Sequence, residues 1–356
     1  RGRKMSRYIN EKFRSLEEYT PGEQPQDKKY IKLNTNESPY PPSKLGVEYA
    51  NEQAKLCYLY SDPECTELTS LVAESLLVKA EQVLLTNGSD EILNFAFMAY
   101  CDEKTPAVFN DITYGFYKVF AELNGVPSTI IPLKQDFSVD VDAFMKAQGT
   151  IFLANPNAPT GLYITLDIIE KILASNPNRI VVVDEAYIDF GSKSAVTLID
   201  KYDNLLVTQT FSKSRSLAGA RLGFGVANAK LIADLKTIKY STNPYNVNRM
   251  TLGLGKGAIL DKEYFEENCK KIIADREFTT IELEKLGFTL TDSKANFVFA
   301  KHDKIDGKTL YLKLKDKGVL VRHFDNQRIT DYNRITIGSH EQMQKLIVAI
   351  KEILGE

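Results

Sequence analysis

Lys213 lies in the run Thr210-Phe-Ser-Lys-Ser-Arg-Ser-Leu-Ala-Gly-Ala-Arg-Leu-Gly-Phe224, among hydroxyls and ahead of Arg221. A lysine packed among small residues beside fixed cations can give up its proton and attack a carbonyl as a free amine. Thr210, Ser212 and Arg221 are of the types that hold a phosphate next to it. An amine nucleophile with a phosphate cradle is what pyridoxal phosphate requires, since its aldehyde binds as a Schiff base and its phosphate anchors it. A surface loop with a salt-bridging lysine is the competing reading of this segment alone.

Upstream, Ile180-Val-Val-Val-Asp184-Glu-Ala-Tyr187 reads as a buried parallel strand that ends on an acid. Continuous β-branched residues bury both faces of a strand, and open α/β sheets bind ligands at the carboxyl ends of their strands. An aspartate at that end can pair with a pyridinium nitrogen and keep the ring an electron sink. Tyr187 could donate its hydroxyl to the ring's 3-oxygen. A metal-binding or helix-capping aspartate is the alternative.

These groups need a scaffold that presents strand ends side by side. Thr150-Ile-Phe-Leu-Ala154 runs into Asn155-Pro-Asn157-Ala-Pro-Thr-Gly161, a turn fixed by proline and glycine with amide donors at the strand's end. Val83-Leu-Leu-Thr-Asn-Gly88-Ser89-Asp90-Glu91 passes from strand through a glycine turn into an apolar helix, Ile92 to Met98. The free amides of such a helix start, with Ser89, form an anion site. Tyr114, after the strand Ala107-Val-Phe, offers an aromatic ring to a cofactor or to the core. From about 83 to 226, β-branched runs alternate with helical patterns, as parallel-sheet units do.

Together the segments resemble the fold-type I, aspartate-aminotransferase-like family of pyridoxal phosphate enzymes, and within it the histidinol-phosphate aminotransferase subfamily. Asn34-Thr-Asn36-Glu37-Ser-Pro39, Tyr19-Thr-Pro-Gly22, Tyr60-Ser-Asp-Pro63 and Pro244-Tyr-Asn-Val-Asn248 carry the subfamily likeness. The resemblance implies an α/β fold, a large mostly parallel-sheet domain followed by a smaller α/β domain. It implies Lys213 as the Schiff-base lysine, and Gly88, Ser89, Asp90, Thr210, Ser212 and Arg221 as the phosphate site. Tyr114 would stack on the ring, Asp184 would hold its nitrogen and Tyr187 its 3-oxygen. Tyr60 would reach the neighbouring subunit's cofactor phosphate, which implies a homodimer. Many relatives read Asn-Asn-Pro-Thr-Gly where this chain has Asn157-Ala158-Pro159-Thr160-Gly161, so Asn157 or Asn155 takes over the amide contact, or Tyr187 acts with less help.

Tyr19, Arg322 and Arg334 would form the anion pocket, because guanidinium forks suit carboxylate and phosphate alike. The implied substrates are histidinol phosphate or imidazole-acetol phosphate, with glutamate and 2-oxoglutarate. Two readings compete. One keeps fold and cofactor for an aromatic-amino-acid aminotransferase or a threonine-phosphate decarboxylase-like enzyme. The other is a cofactor-binding regulatory protein without turnover.

The 356 residues, 43% hydrophobic, suggest two domains, a large one over 41–258 and a small one over 259–356, preceded by an arm over 1–40. A net charge of −2 and scattered lysines give no nucleic-acid footprint. No apolar run approaches a membrane span, and the basic start Arg1-Gly-Arg-Lys4 reads as a frayed or added terminus rather than a targeting signal. Cys57, Cys65, Cys101 and Cys269 lack paired spacing and suit a reduced cytoplasm. His302, His323 and His340 lie too far apart in sequence to propose a metal site, and read as surface or outer residues. Gly253-Leu-Gly-Lys-Gly257 follows no strand, so it reads as small-residue helix packing rather than a nucleotide loop. A helix pattern over Tyr264–Leu286, three strand-like runs and a final helix over His340–Leu354 fill the small domain.

Overall fold

Strand β1 (Ile31–Lys32), in the segment expected to be a polar arm, pairs in parallel with Val319 and Leu320 near the other end of the chain. The computed structural model describes residues 6–355, so the basic start at 1–4 lies outside the described residues. Leu33 continues the tie: its amide donates to Leu320 O and its carbonyl accepts from Thr336 N. The arm is therefore sewn into the carboxyl-terminal part of the fold, which apolar patterning alone did not reveal.

Two helices follow, α1 (Lys44–Ala54) and α2 (Thr66–Leu76), and then the main sheet begins. Its strands are β2 (Val83–Thr86), β3 (Ala107–Asn110), β4 (Ser128–Ile131), β5 (Thr150–Ala154), β6 (Val181–Asp184), β7 (Leu205–Thr210) and β8 (Gly223–Ala227). They lie in the order β2-β8-β7-β6-β5-β3-β4, and β8 runs antiparallel to both its neighbours within an otherwise parallel sheet. Helices α3 (Ser89–Tyr100), α4 (Phe116–Asn124), α5 (Val141–Lys146), α6 (Leu166–Ser175) and α7 (Ala229–Thr242) cover it.

Alternation along the strands shows why both faces are apolar. Phe152, Val182 and Leu206 pack with Phe97, Phe120 and Leu235 on one side. Leu153, Val181, Val183 and Val207 pack with Leu68, Val72, Ile169 and Ile172 on the other. Buried on two faces, such strands read as unbroken hydrophobic runs and end in polar residues where the sheet meets its ligand crevice. The register sets Asp184 beside Ala154 on one side and Thr208 on the other.

Helix α8 (Arg249–Leu260) holds the glycine cluster, and close helix packing explains it. A Cβ at Gly257 would fall 2.2 Å from Gly46 N, and one at Gly253 would fall 2.8 Å from the backbone of Tyr49 and Ala50. Helices α1 and α8 thus touch backbone to backbone.

The remaining elements are α9 (Lys262–Lys285), β9 (Phe288–Leu290), β10 (Phe297–His302), α10 (Gly307–Asp316), β11 (Val319–Leu320), β12 (Arg322–His323), β13 (Asn333–Thr336) and α11 (His340–Leu354). A four-stranded antiparallel sheet, β12-β13-β10-β9, packs its apolar face with α9 and α11 in a separate core. Ser339 and Gln342 close a reciprocal cap at the start of α11. His302 departs from the surface placement expected of it: it is buried, and its ring contacts Leu286 O at 3.0 Å where α9 ends. Among the described residues no helix is long and apolar enough to cross a membrane.

Candidate active site

A cavity of about 380 Å³ opens at the carboxyl ends of β5, β6 and β7. Helix α3 begins at its wall. Gly88 adopts φ of 80°, a conformation open to glycine, and lets the chain turn from β2 into the helix. A Cβ on Gly88 would lie 2.7 Å from Arg221 Nη2, and a Cβ on Gly223 would lie 2.4 Å from Ser89 N. Both glycines therefore keep the helix start open and close to Arg221. Thr210 Oγ1 donates to Ser212 Oγ at 3.0 Å, so these hydroxyls form one cluster. Arg221 Nη2 reaches Asp90 Oδ2 at 2.9 Å, while Tyr114 donates to Asp90 Oδ1 at 2.6 Å. Asp90 thus joins the guanidinium and the tyrosine that line the same space.

Asp184 lines this cavity from the end of β6 and is buried. Burial pushes its carboxyl up to about 6, against hydrogen bonds from Tyr117, Thr208 and the Ala186 amide that favour the anion. Tyr117 Oη donates to Asp184 Oδ2 at 2.9 Å and Thr208 Oγ1 to Oδ1 at 3.3 Å. The sequence reading gave Tyr117 no role, although it stands one helical turn beyond Tyr114. Tyr187 lines the cavity, and its hydroxyl accepts from Asn36 Nδ2 at 2.9 Å. Asn36, also without an assigned role, is buried at φ 56°, where asparagine is favoured among side-chain-bearing residues. It is held by Thr336 Oγ1 and Asn296 Nδ2 as well.

The amide expectation needs correction. Asn157 does not line the cavity, where Pro156 and Ala158 stand instead. Its Nδ2 donates to Ile112 O and Thr160 Oγ1, both at 3.0 Å, and its Oδ1 accepts from Thr113 at 2.8 Å. Asn155 bonds Ile164 through both side-chain atoms. Both asparagines hold the loop together, and Asn157 Nδ2 has given both of its hydrogens to protein acceptors.

Lys213 Nζ lies 3.3 Å from Thr35 O and 5.7 Å from the Tyr187 ring centre. It lines the first cavity and also an adjoining one of about 480 Å³, so it stands where the two meet. Tyr19, Arg322 and Arg334 line the second cavity, on which the arm residues Thr20 to Gly22 also border. Arg322 donates to Thr20 O and Pro21 O, and Arg334 Nη2 donates to Asn34 O at 3.0 Å. Among the described residues neither guanidinium has a carboxylate within salt-bridge distance. Arg334 Nε is buried without a partner, and burial lowers that arginine's proton affinity. An orphaned donor beside a second guanidinium bonded only to carbonyls has the chemistry that suits an anion.

Tyr60 lies apart from both cavities, highly exposed and stacked on Tyr245 with ring centres 4.6 Å apart. The structure therefore gathers Gly88, Ser89, Asp90, Tyr114, Asp184, Tyr187, Thr210, Ser212, Lys213, Arg221, Tyr19, Arg322 and Arg334 around one crevice, and leaves Asn157 and Tyr60 outside it.

The family model for class I and II aminotransferases matches residues 28–350. The chain belongs to that family. It is a pyridoxal phosphate-dependent aminotransferase of the fold-type I class. The histidinol-phosphate aminotransferase of Brachyspira hyodysenteriae is 49% identical over 98% of this chain and 99% of its own length. That of Clostridium acetobutylicum is 46% identical over 99% of this chain and all of its own. A histidinol-phosphate aminotransferase structure from Sinorhizobium meliloti, in complex with pyridoxal 5′-phosphate, superposes with a TM-score of 0.85 at 20% identity, covering 92% of each chain, and supports the fold.

The crevice fits the family's cofactor on its own chemistry. A helix start kept open by two glycines, three hydroxyls and a guanidinium suit a phosphate. A buried carboxyl at a strand end suits a pyridinium nitrogen, and an amine stands at the junction.

Proposed function

We propose that this chain transfers the amino group between histidinol phosphate and 2-oxoglutarate, as a homodimer in the cytoplasm. The observation that carries the substrate reading is the pair Arg322 and Arg334, without carboxylate partners among the described residues and facing the same cavity as Lys213. Each half-reaction brings an anion to that cavity, the phosphate of one substrate or the carboxylates of the other. The full-length relatives at 46–49% identity support the same reading.

When bound, the cofactor supplies an electron sink for the carbanion left by deprotonation. Ser89, Thr210, Ser212, Arg221 and the first amides of α3 would hold its phosphate. Asp184 would hold its nitrogen, Tyr114 its face, and Tyr187 its 3-oxygen with Asn36 orienting the hydroxyl. Lys213 would hold it covalently. Once the substrate's amine had displaced it, the freed lysine amine would take the proton from the carbon bearing the substrate's nitrogen, since it borders both the cofactor and the substrate cavities. Arg334 would fix the carboxylate or phosphate, and Arg322 and Tyr19 would complete the grip and keep water from the anion.

Tyr60, exposed and clear of its own crevice, supports the dimer: its hydroxyl would serve the neighbour's phosphate site. The four free thiols suit a reducing compartment.

A half-reaction screen tests the proposal. Purified holoenzyme is mixed with single amines, and the change in cofactor absorbance to the amino form is followed. Histidinol phosphate should convert it fastest, with glutamate also competent. Faster conversion by phenylalanine or tyrosine, or carbon dioxide release from threonine phosphate, overturns the substrate reading.

A further inference from the structure

We propose that Tyr117 is a positioning residue that keeps Asp184 in its anionic form and aimed at the cofactor's ring nitrogen. The inference rests on the proposed role of Asp184 and extends it to a residue outside the cavity. Tyr117 is fully buried on α4, and its hydroxyl lies 2.9 Å from Asp184 Oδ2. Its ring is packed by Phe109 edge-on at 5.8 Å and by Phe152 at 5.8 Å, which fixes the hydroxyl. The same ring meets Tyr114 edge-on at 5.7 Å and 88°. One side chain thus braces both a carboxyl and an aromatic wall of the cavity.

The physics favours a functional hydroxyl over simple filling. A phenylalanine would fill this apolar site equally well and carry no burial cost for a polar atom. Burial lifts the Asp184 carboxyl, and the hydrogen bond from Tyr117 is the strongest influence acting against that rise. Thr208, at 3.3 Å, is the weaker donor by distance. Without Tyr117 the shared proton would move from the ring nitrogen towards the carboxyl, and the ring would draw electrons less strongly.

The test uses Tyr117→Phe and Asp184→Asn holoenzymes loaded with pyridoxal phosphate labelled with nitrogen-15 at the ring position. In Tyr117→Phe the nitrogen resonance should shift towards the unprotonated value. Pyridoxal phosphate should bind the apo variant about tenfold more weakly, the scale of one lost hydrogen bond to a charged group. Binding of the 1-deaza analogue, which lacks the ring nitrogen, should be unchanged. Equal weakening for both ligands means packing alone, and overturns the inference. An unshifted resonance in Tyr117→Phe alongside a shifted one in Asp184→Asn also overturns it while the Asp184 role stands. An unshifted resonance in Asp184→Asn removes that role and this inference together. If Tyr117→Phe does not fold, difluorotyrosine placed at position 117, a stronger donor of similar shape, should shift the resonance towards the protonated value; no shift refutes the inference.

Discussion

Replacing Arg334 by lysine keeps a positive charge on β13 but removes the planar fork. In the structure one of its donors holds Asn34 O, Nε is buried without a partner, and the guanidinium lies 5.4 Å from the Phe297 ring centre. Lysine offers a point charge that cannot fill two donor positions at once. Losing a charge-assisted hydrogen bond to a bound anion costs about 1.5–3 kcal/mol, or roughly one to two decades in kcat/KM. Both half-reactions should suffer, because both bring an anion to the same fork. The change keeps a desolvated cation in place and puts the bond to Asn34 O at risk, so Tm should stay equal or fall slightly and should not rise. Steady-state kinetics with histidinol phosphate and with glutamate, beside a thermal melt of the apo form, gives all three values. If kcat/KM for both substrates stays within about twofold of wild type, or if activity falls only in step with a lowered Tm, the anion-site reasoning fails.

Arg322→Ala should erode the preference for histidinol phosphate over histidinol more than it harms glutamate turnover, read from the ratio of kcat/KM values. Lys213→Ala should abolish transamination while the protein still folds, and borohydride reduction of the wild-type holoenzyme followed by peptide mapping should label Lys213 alone. For Asp184 the folded carboxyl is raised to about 6 from an ordinary value of 3.8, so between those values the folded apo protein binds more protons than the unfolded chain. Its contribution to stability therefore falls as pH rises through that window, and Asp184→Asn should raise the apo Tm more at pH about 8 than at pH about 4. A constant difference across pH removes the titration argument. Tyr60→Ala should lower activity through the neighbouring site, so mixtures with Lys213→Ala should regain activity in heterodimers; a fully active wild-type monomer in sedimentation ends that account.

The placement of polar residues at strand ends was legible in the sequence because a doubly covered parallel sheet writes itself as β-branched runs stopped by polar residues. Asp184, Lys213 and the turn at Gly88 all follow that grammar. The spacing of glycines in α8 likewise announced close helix contact. What stayed hidden depends on contacts between distant segments. Asn36 owes its place to Thr336 and Asn296, and nothing local to residues 34–37 reveals those partners. Tyr117 looks like one more core aromatic until β6 brings Asp184 to its hydroxyl. Asn157 differs again: a polar side chain at a strand end suggests a ligand, yet its amide hydrogens go to Thr160 in its own turn and to the distant Ile112 carbonyl.

The stitching of residues 31–36 to β11 and β13 joins the ceiling of the crevice to Arg334 and Arg322 through main-chain hydrogen bonds and the bond from Asn36 N to Thr336 Oγ1. Asp184, by contrast, ends β6 of the main sheet, and Lys213 follows three residues after the end of β7. The two jaws of a caliper are arranged in this way, and under the proposed function one would carry the anion grip and the other the amine. Selectivity then follows from the span between nitrogen and anion in a substrate as much as from the groups at its ends. A homologue of histidinol phosphate one methylene longer should bind with its phosphate seated and its reactive carbon out of reach of Lys213.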